Sequence, residues 1–147
     1  MSELGFKQRN PDFEARVRGS FAKQTIMDLL GASLERVELG RVSVVLPARA
    51  DLCQQDGYFH AGVTTTIADS AAGYAALSLF DAQTEVLSTE FKVNLLAPAI
   101  GQRLRAVATV LKPGRTLTVV EADVFADAGD QSVRCARFLG TMIALRG

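Results

Sequence analysis

Asp69 is the only charged residue between Ala61 and Phe80. A lone carboxylate in so apolar a stretch is costly unless it is paired or protonated, and burial retunes it toward a base or a nucleophile. A buried ion pair or a capping contact would explain it as well. Just ahead lies Gln54-Gln55-Asp56-Gly57-Tyr58-Phe59-His60-Ala61-Gly62, a loop running into a helix start. Amides at a helix N-terminus carry partial positive charge and can stabilise an oxyanion. Together, an acid that can be retuned and an amide cluster can serve attack on a carbonyl. His60, the single histidine, sits where a cap or a packed ring is an ordinary role.

Other chemistries lack their residues. There is no G-x-S-x-G, so a serine triad is a poor fit, and neither G-x-x-x-x-G-K-[ST] nor G-x-G-x-x-G occurs. Cys53 and Cys135 form no C-x-x-C pair and, with one histidine, leave too few soft ligands for zinc, so no metal site is expected. Both thiols read as packing residues. Sixteen basic and sixteen acidic side chains cancel, which leaves no basic excess for nucleic acid. The first ten residues carry no apolar signal core and no run of eighteen apolar residues exists, so no membrane association and a cytoplasmic location are expected.

The elements that must hold these residues follow from period and punctuation. Asn10-Pro11, with Asp12 and Glu14, predicts a helix start, and Phe13, Val17, Phe21, Ile26, Leu29 and Leu30 form one apolar stripe ending at Gly31. From Leu34 the period becomes two, around Gly40, as two strands or one bent strand. Pro47 to Tyr58 reads as a loop. The segment from Ala61, small and apolar nearly all round, predicts a helix buried on most sides. Strands then follow: Glu85 to Leu96, with Leu87, Thr89, Phe91, Val93 and Leu95 alternating against Ser88, Glu90, Lys92 and Asn94; Gln102 to Leu111; Thr116 to Phe125 after a Lys112-Pro113-Gly114-Arg115 hairpin; and Gln131 to Leu145. The expectation is one α+β domain over residues 1–147, an antiparallel sheet wrapped around a central helix, with residues 1–31 as an N-terminal helical extension.

Several of these pieces stand in a familiar order. Q-x-x-G-x-x-H-x-G from Gln54, Asp69 seven residues later, T-E-F-K-V-N-L-L-A-P from Thr89, the Gly114-Arg115-Thr116 hairpin and a late Gly140-Thr141 resemble the hot-dog thioesterases of the phenylacetate-degradation type, over about Ser33 to Ala144. The resemblance implies hydrolysis of an acyl-CoA thioester to free acid and CoA, with no cofactor beyond the CoA of the substrate. It makes Asp69 nucleophile or general base. It gives the Ala61 N–H, joined by that of Gly62, the oxyanion hole. Gln54 would orient the carbonyl or water, and His60 would hold the helix start. The usual H-G-G reads His60-Ala61-Gly62 here, which keeps the N–H provided the position needs no positive φ. Where some relatives carry a hydroxyl one turn after the acid, this chain has Gly73, with Ser70 as a possible substitute. Lys92, Lys112 and Arg115, and also Arg103 and Arg105, are cations for the CoA phosphates, with Asn94 as a polar contact.

Eight residues separate Ala61 from Asp69, roughly 12 Å of helix at 1.5 Å per residue. One carbonyl cannot touch both within one chain, so the implied site belongs to a homodimer that shares it, with a dimer of dimers left open. Two alternatives stay beside hydrolysis: a hot-dog hydratase or dehydratase using His60 with Asp69, and a non-catalytic acyl-CoA binding module.

Overall fold

The computed structural model describes residues 3–147. Its elements run α1 (Phe13–Phe21), α2 (Thr25–Leu30), β1 (Ser33–Glu38), β2 (Arg41–Pro47), a short 3-10 turn (Ala50–Leu52), α3 (Ala61–Leu77), β3 (Thr84–Leu95), β4 (Arg103–Lys112), β5 (Leu117–Ala128) and β6 (Gln131–Arg146). The six strands form one sheet in the order β1-β2-β4-β5-β6-β3, antiparallel at every pairing. The sheet curls around α3, as the hot-dog resemblance implies.

Small side chains make that wrapping possible. Ala68, Ala71, Ala72, Ala75 and Ala76 are buried, so strands approach the α3 backbone closely, and Ile67 and Leu77 fill what remains. Opposite them lie Val42, Val44, Leu104, Ala106, Val120, Val124 and Phe138, all fully buried inward residues of period-two strands. Ser78, just past α3, ties the helix to the β1–β2 turn by accepting the Gly40 N–H at 2.8 Å. Gly40 takes φ +77° with the Phe6 ring against its α-carbon, so a side chain there would meet both strain and a clash.

The N-terminal stripe is not one helix. The chain breaks at Ala22–Gln24, where Lys23 and Gln24 donate to Ser20 and Phe21 in tightened i→i−3 bonds and Gln24 turns extended. The break lets Val17 and Met27 both reach the core, while Ile26 and Leu29 stay 44 % and 69 % exposed. Helix α1 also starts later than Asn10-Pro11 suggests: the Asn10 side chain accepts the Asp12 N–H at 3.0 Å, one turn before the helix proper. Gly31, at φ +79°, ends α2 with the paired bonds of a Schellman motif, Ala32 N–H to Met27 and Gly31 N–H to Asp28.

Strand β3 contains a bulge. Ser88 pairs with Met142 and Glu90 with Thr141, so Thr89 is the extra residue. Before the bulge Ser88 shares a face with the buried Met142. After it, Phe91 and Val93 lie opposite Gly140 and Phe138 on that same inner face. The simple alternation read from the sequence, with Leu87 grouped with Phe91 and Ser88 with Glu90, is therefore shifted by one residue at its start.

On the outer face, acids and arginines pair across strands: Arg137 with Asp123 and Glu121, and Arg103 and Arg105 with Asp127. Burial pushes the Asp127 carboxyl up, but hydrogen bonds from Arg105, Ser132 and Arg103, with the Arg105 charge, outweigh this and hold it below the usual carboxylate range. A depressed folded-state pKa gives stability that is complete above the unfolded value of about 3.9 and is lost as pH falls through the folded value. Asp127→Asn should lower unfolding free energy at pH 7 by about 1.5–3 kcal/mol, the scale for hydrogen bonds to charged groups. In urea melts across pH, that gap should close only below about pH 4.

Candidate active site

Asp69 sits midway along α3, half-buried, and its Oδ1 accepts a 2.6 Å hydrogen bond from the Ser88 hydroxyl. Ser88 was not among the residues singled out from sequence. The bulge at Thr89 turns it toward α3, so that a hydroxyl from β3 meets the Asp69 carboxylate. The Ser70 hydroxyl, buried, donates to Gln24 Oε1 at 2.9 Å and not to Asp69. Both serines and Asp69 line a cleft of about 470 Å³, which Leu77, Val86 and Met142 line as well.

The helix start forms a second place. His60 is the N-cap of α3, its Nδ1 accepting the Gly62 N–H at 2.8 Å, so the ring proton resides on Nε2. That bond engages the Gly62 amide within its own chain. The Ala61 N–H is left with no acceptor among the described residues. Ala61 also needs no left-handed backbone, since no non-glycine described residue has positive φ. Gln54, in the loop before α3, uses its Oε1 to accept the Asp56 N–H, and its Nε2 has no partner among the described residues. Gln54 and Ala61 line a separate cleft of about 520 Å³, with Tyr58, Leu95 and Pro98.

Within one chain, then, Gln54, His60 and Ala61 gather at one end of α3, and Asp69 and Ser88 share a different cleft. The structure does not bring the two groups together. Lys92, Asn94, Lys112 and Arg115 are exposed and line neither cleft, and the first, third and fourth make no ion pair among the described residues. Arg103 and Arg105 are committed to Asp127. Cys135 is buried with its thiol pushed up by burial, which suits packing and not nucleophilic chemistry. No group of three His, Cys, Asp or Glu side chains stands close enough to hold a metal among the described residues, and no described helix is long and apolar enough to cross a membrane.

The sequence pattern of the Thioesterase superfamily matches residues 56–133, more than half the chain and including Ala61, Asp69 and Ser88. The chain belongs to this superfamily. As a thioesterase it is a thioester hydrolase, and its relatives agree in fold and length. A thioesterase family protein from Silicibacter pomeroyi is 44 % identical, with 92 % of this chain and 99 % of that one superposed at a TM-score of 0.90. The PaaI protein of the phenylacetic acid degradation operon of E. coli, 19 % identical, shares the fold at a TM-score of 0.83 over 92 % of this chain and 95 % of its own. A 1,4-dihydroxy-2-naphthoyl-CoA hydrolase of Listeria monocytogenes is 26 % identical over 99 residues, 67 % of this chain and 80 % of that protein.

Proposed function

We propose that this thioesterase hydrolyses an acyl-CoA thioester to the carboxylic acid and CoA, with Asp69 as the reacting carboxylate and no metal or further cofactor. The observation that carries the reading is the Asp69–Ser88 pair: a carboxylate on an otherwise uncharged helix, oriented by a hydroxyl, open to a cleft of acyl-group size. A hydrogen bond fixes which carboxylate oxygen stays free, which is the oxygen available to the carbonyl carbon or to water. As nucleophile, Asp69 would displace CoA thiolate and form a mixed anhydride that water opens. As general base, it would take the proton of a water attacking the carbonyl. Both routes put negative charge on the former carbonyl oxygen, and an unpaired helix N-terminal amide such as that of Ala61 is suited to hold it. Gln54 Nε2 would orient the carbonyl or the water, and His60, through its cap, would keep the amide in place.

Ala61 and Asp69 lie roughly 12 Å apart along α3, so the proposed site is shared across a homodimer, Gln54 and Ala61 from one protomer and Asp69 and Ser88 from its partner. Support comes from β3, an edge strand whose Leu87, Phe91 and Leu95 are 58 %, 44 % and 61 % exposed. Open, apolar edges seek pairing. A dimer of dimers is compatible with the same arrangement. Lys92, Lys112 and Arg115, free of acidic partners, are the cations proposed for the CoA phosphates, with Asn94 as a polar neighbour on β3; the proposed location is the cytoplasm.

The test is thiol release from a panel of acyl-CoAs, aryl and aliphatic. Hydrolysis of at least one, abolished in Asp69→Asn, is the expected result. Calorimetric binding of CoA esters without thiol release would instead mean an acyl-CoA binding module, and water loss from a β-hydroxyacyl-CoA would mean a dehydratase. The dehydratase outcome is disfavoured by His60, whose Nδ1 is spent on the helix cap.

A further inference from the structure

Three threonines in a row stand in the first turns of α3, and the fold treats one of them differently. Thr65 and Thr66 send their hydroxyls back one turn, to the carbonyls of Ala61 at 2.8 Å and Gly62 at 2.7 Å. The matching carbonyl for Thr64 is that of His60, which already accepts the Val63 and Thr64 N–H groups at 3.0 and 3.2 Å. A carbonyl oxygen has two lone pairs, and both are in use. Thr64 is 2 % exposed and its hydroxyl has no hydrogen-bond partner. Among the described residues no other buried side-chain oxygen or nitrogen is in that condition.

Packing alone does not ask for this hydroxyl. Phe59 precedes the His60 cap and Thr64 is the fourth residue of α3, the two positions where an apolar pair staples a helix start. Valine has the shape of threonine and would serve there without an unpaired polar atom, which costs stability. What the hydroxyl does share is a cleft: Thr64 borders the one that holds Ala61 and Gln54. The unused groups of those two residues are donors, the Ala61 N–H and both hydrogens of Gln54 Nε2, while Gln54 Oε1 already takes the Asp56 N–H. Thr64 adds two free lone pairs. It follows Ala61 by three residues, roughly 4.5 Å of helix at 1.5 Å per residue, and its side chain leans back toward the N-terminus. The Ala61 N–H points out of the helix end, so the two groups are too far apart to hold one oxygen. One water fits between the Thr64 hydroxyl and a carbonyl held by Ala61. The Thr64 oxygen is shut from solvent in the free chain. Rotation about χ1 exchanges it with the methyl, a group of nearly the same size, and breaks no hydrogen bond; threonine in helices populates two such rotamers.

We infer that the Thr64 hydroxyl is a further catalytic group, which accepts the second hydrogen of the water that attacks the thioester. The inference rests on the acyl-CoA thioesterase reading. As the water oxygen bonds to the carbonyl carbon, one hydrogen passes to the partner's Asp69 carboxylate. The other, growing more acidic, is held by Thr64 Oγ1 and stays on the new acid. The C–S bond then breaks, and the proton on Asp69 leaves with the thiolate as CoA thiol. Where Asp69 attacks first, the water that opens the anhydride takes the same seat, and one of its hydrogens goes to the departing Asp69 carboxylate.

Two variants of the full-length protein separate this chemistry from packing, because they move stability and rate in opposite directions. Thr64→Val keeps the shape and drops the unpaired oxygen. Its melting temperature should equal or exceed that of the wild type, while kcat falls about tenfold with KM little changed. Thr64→Ser returns the hydroxyl but loses a buried methyl, so it should melt lower and yet recover most of that rate. If Thr64 only packs, rate follows stability and Thr64→Val turns over as the wild type does. That result overturns the proposal, as does a loss confined to KM, a Thr64→Ser as slow as Thr64→Val, or a Thr64→Val that melts lower than the wild type. No thiol release by the wild type from any acyl-CoA of the panel defeats the hydrolase reading and this inference with it. Release by the wild type, with normal turnover in Thr64→Val, defeats this inference alone.

Discussion

Replacing Asp69 by Asn will lower kcat at least about 10²-fold with KM little changed. The substitution keeps size and polarity, so the Ser88 hydroxyl still has an acceptor and α3, built on buried alanines, still packs. What is lost is the charge that attacks carbon or takes water's proton, a contribution felt in the transition state and not in the ground-state complex. Ser88→Ala is the informative companion. It leaves the carboxylate but frees it to rotate, and a loss of about tenfold is expected, the scale of one hydrogen bond to a charged group. Steady-state thiol release on folded variants measures both. Near-normal turnover in Asp69→Asn removes the carboxylate from the mechanism.

Ala61→Pro will cost about 2–4 kcal/mol of transition-state stabilisation while Ala61→Gly stays active, because the group at work is the backbone N–H. Few positions permit so clean a deletion. Ala61 is the first helical residue, where proline is favoured, and its N–H serves no bond in the fold. His60 before it is already extended, at φ −63° and ψ 137°, the conformation a residue preceding proline adopts. The His60 cap on Gly62 survives as well. Comparing kcat/KM of the Gly and Pro variants at matched melting temperature checks the claim, and equal values would exclude the amide.

How far the sequence carried can be traced through these residues. The charge-free run after Ala61 with one carboxylate is a pattern that needs no tertiary information, because burial of a helix on all sides leaves little room for other residue types. Gly31 is similarly local, at φ +79° in a left-handed conformation that few residues adopt. What was illegible depended on partners distant in sequence. Ser88 falls on paper in one set with Glu90, Lys92 and Asn94, but one extra residue at Thr89 reverses the phase and turns the hydroxyl toward Asp69. A bulge is decided by what the strand packs on. Ser70 was a reasonable stand-in for the missing hydroxyl at Gly73 until Gln24, 46 residues away, claimed it. The stripe from Phe13 to Leu30 looked like one helix because its apolar spacing is continuous. Only the need to bury Val17 and Met27 against the same core explains the break at Ala22–Gln24. The Gly62 amide was spent by its own neighbour, His60, since one ring nitrogen reaching one N–H is a matter of rotamer and not of spacing.

The central claim is that one catalytic site draws Ala61 from one protomer and Asp69 from the other, and mixing tests it. Asp69→Ala and Ala61→Pro are each nearly inactive, and the two chains are co-expressed or unfolded and refolded together. In a heterodimer one site receives both lesions and the other neither. Random pairing makes half the dimers heterodimers, each with one intact site of two, so thiol release should return to about a quarter of the wild-type rate. Each variant alone, refolded the same way, sets the baseline. Sites contained within single chains would carry one lesion in every pairing, and with heterodimers confirmed by mass, activity no higher than that baseline would contradict the shared site.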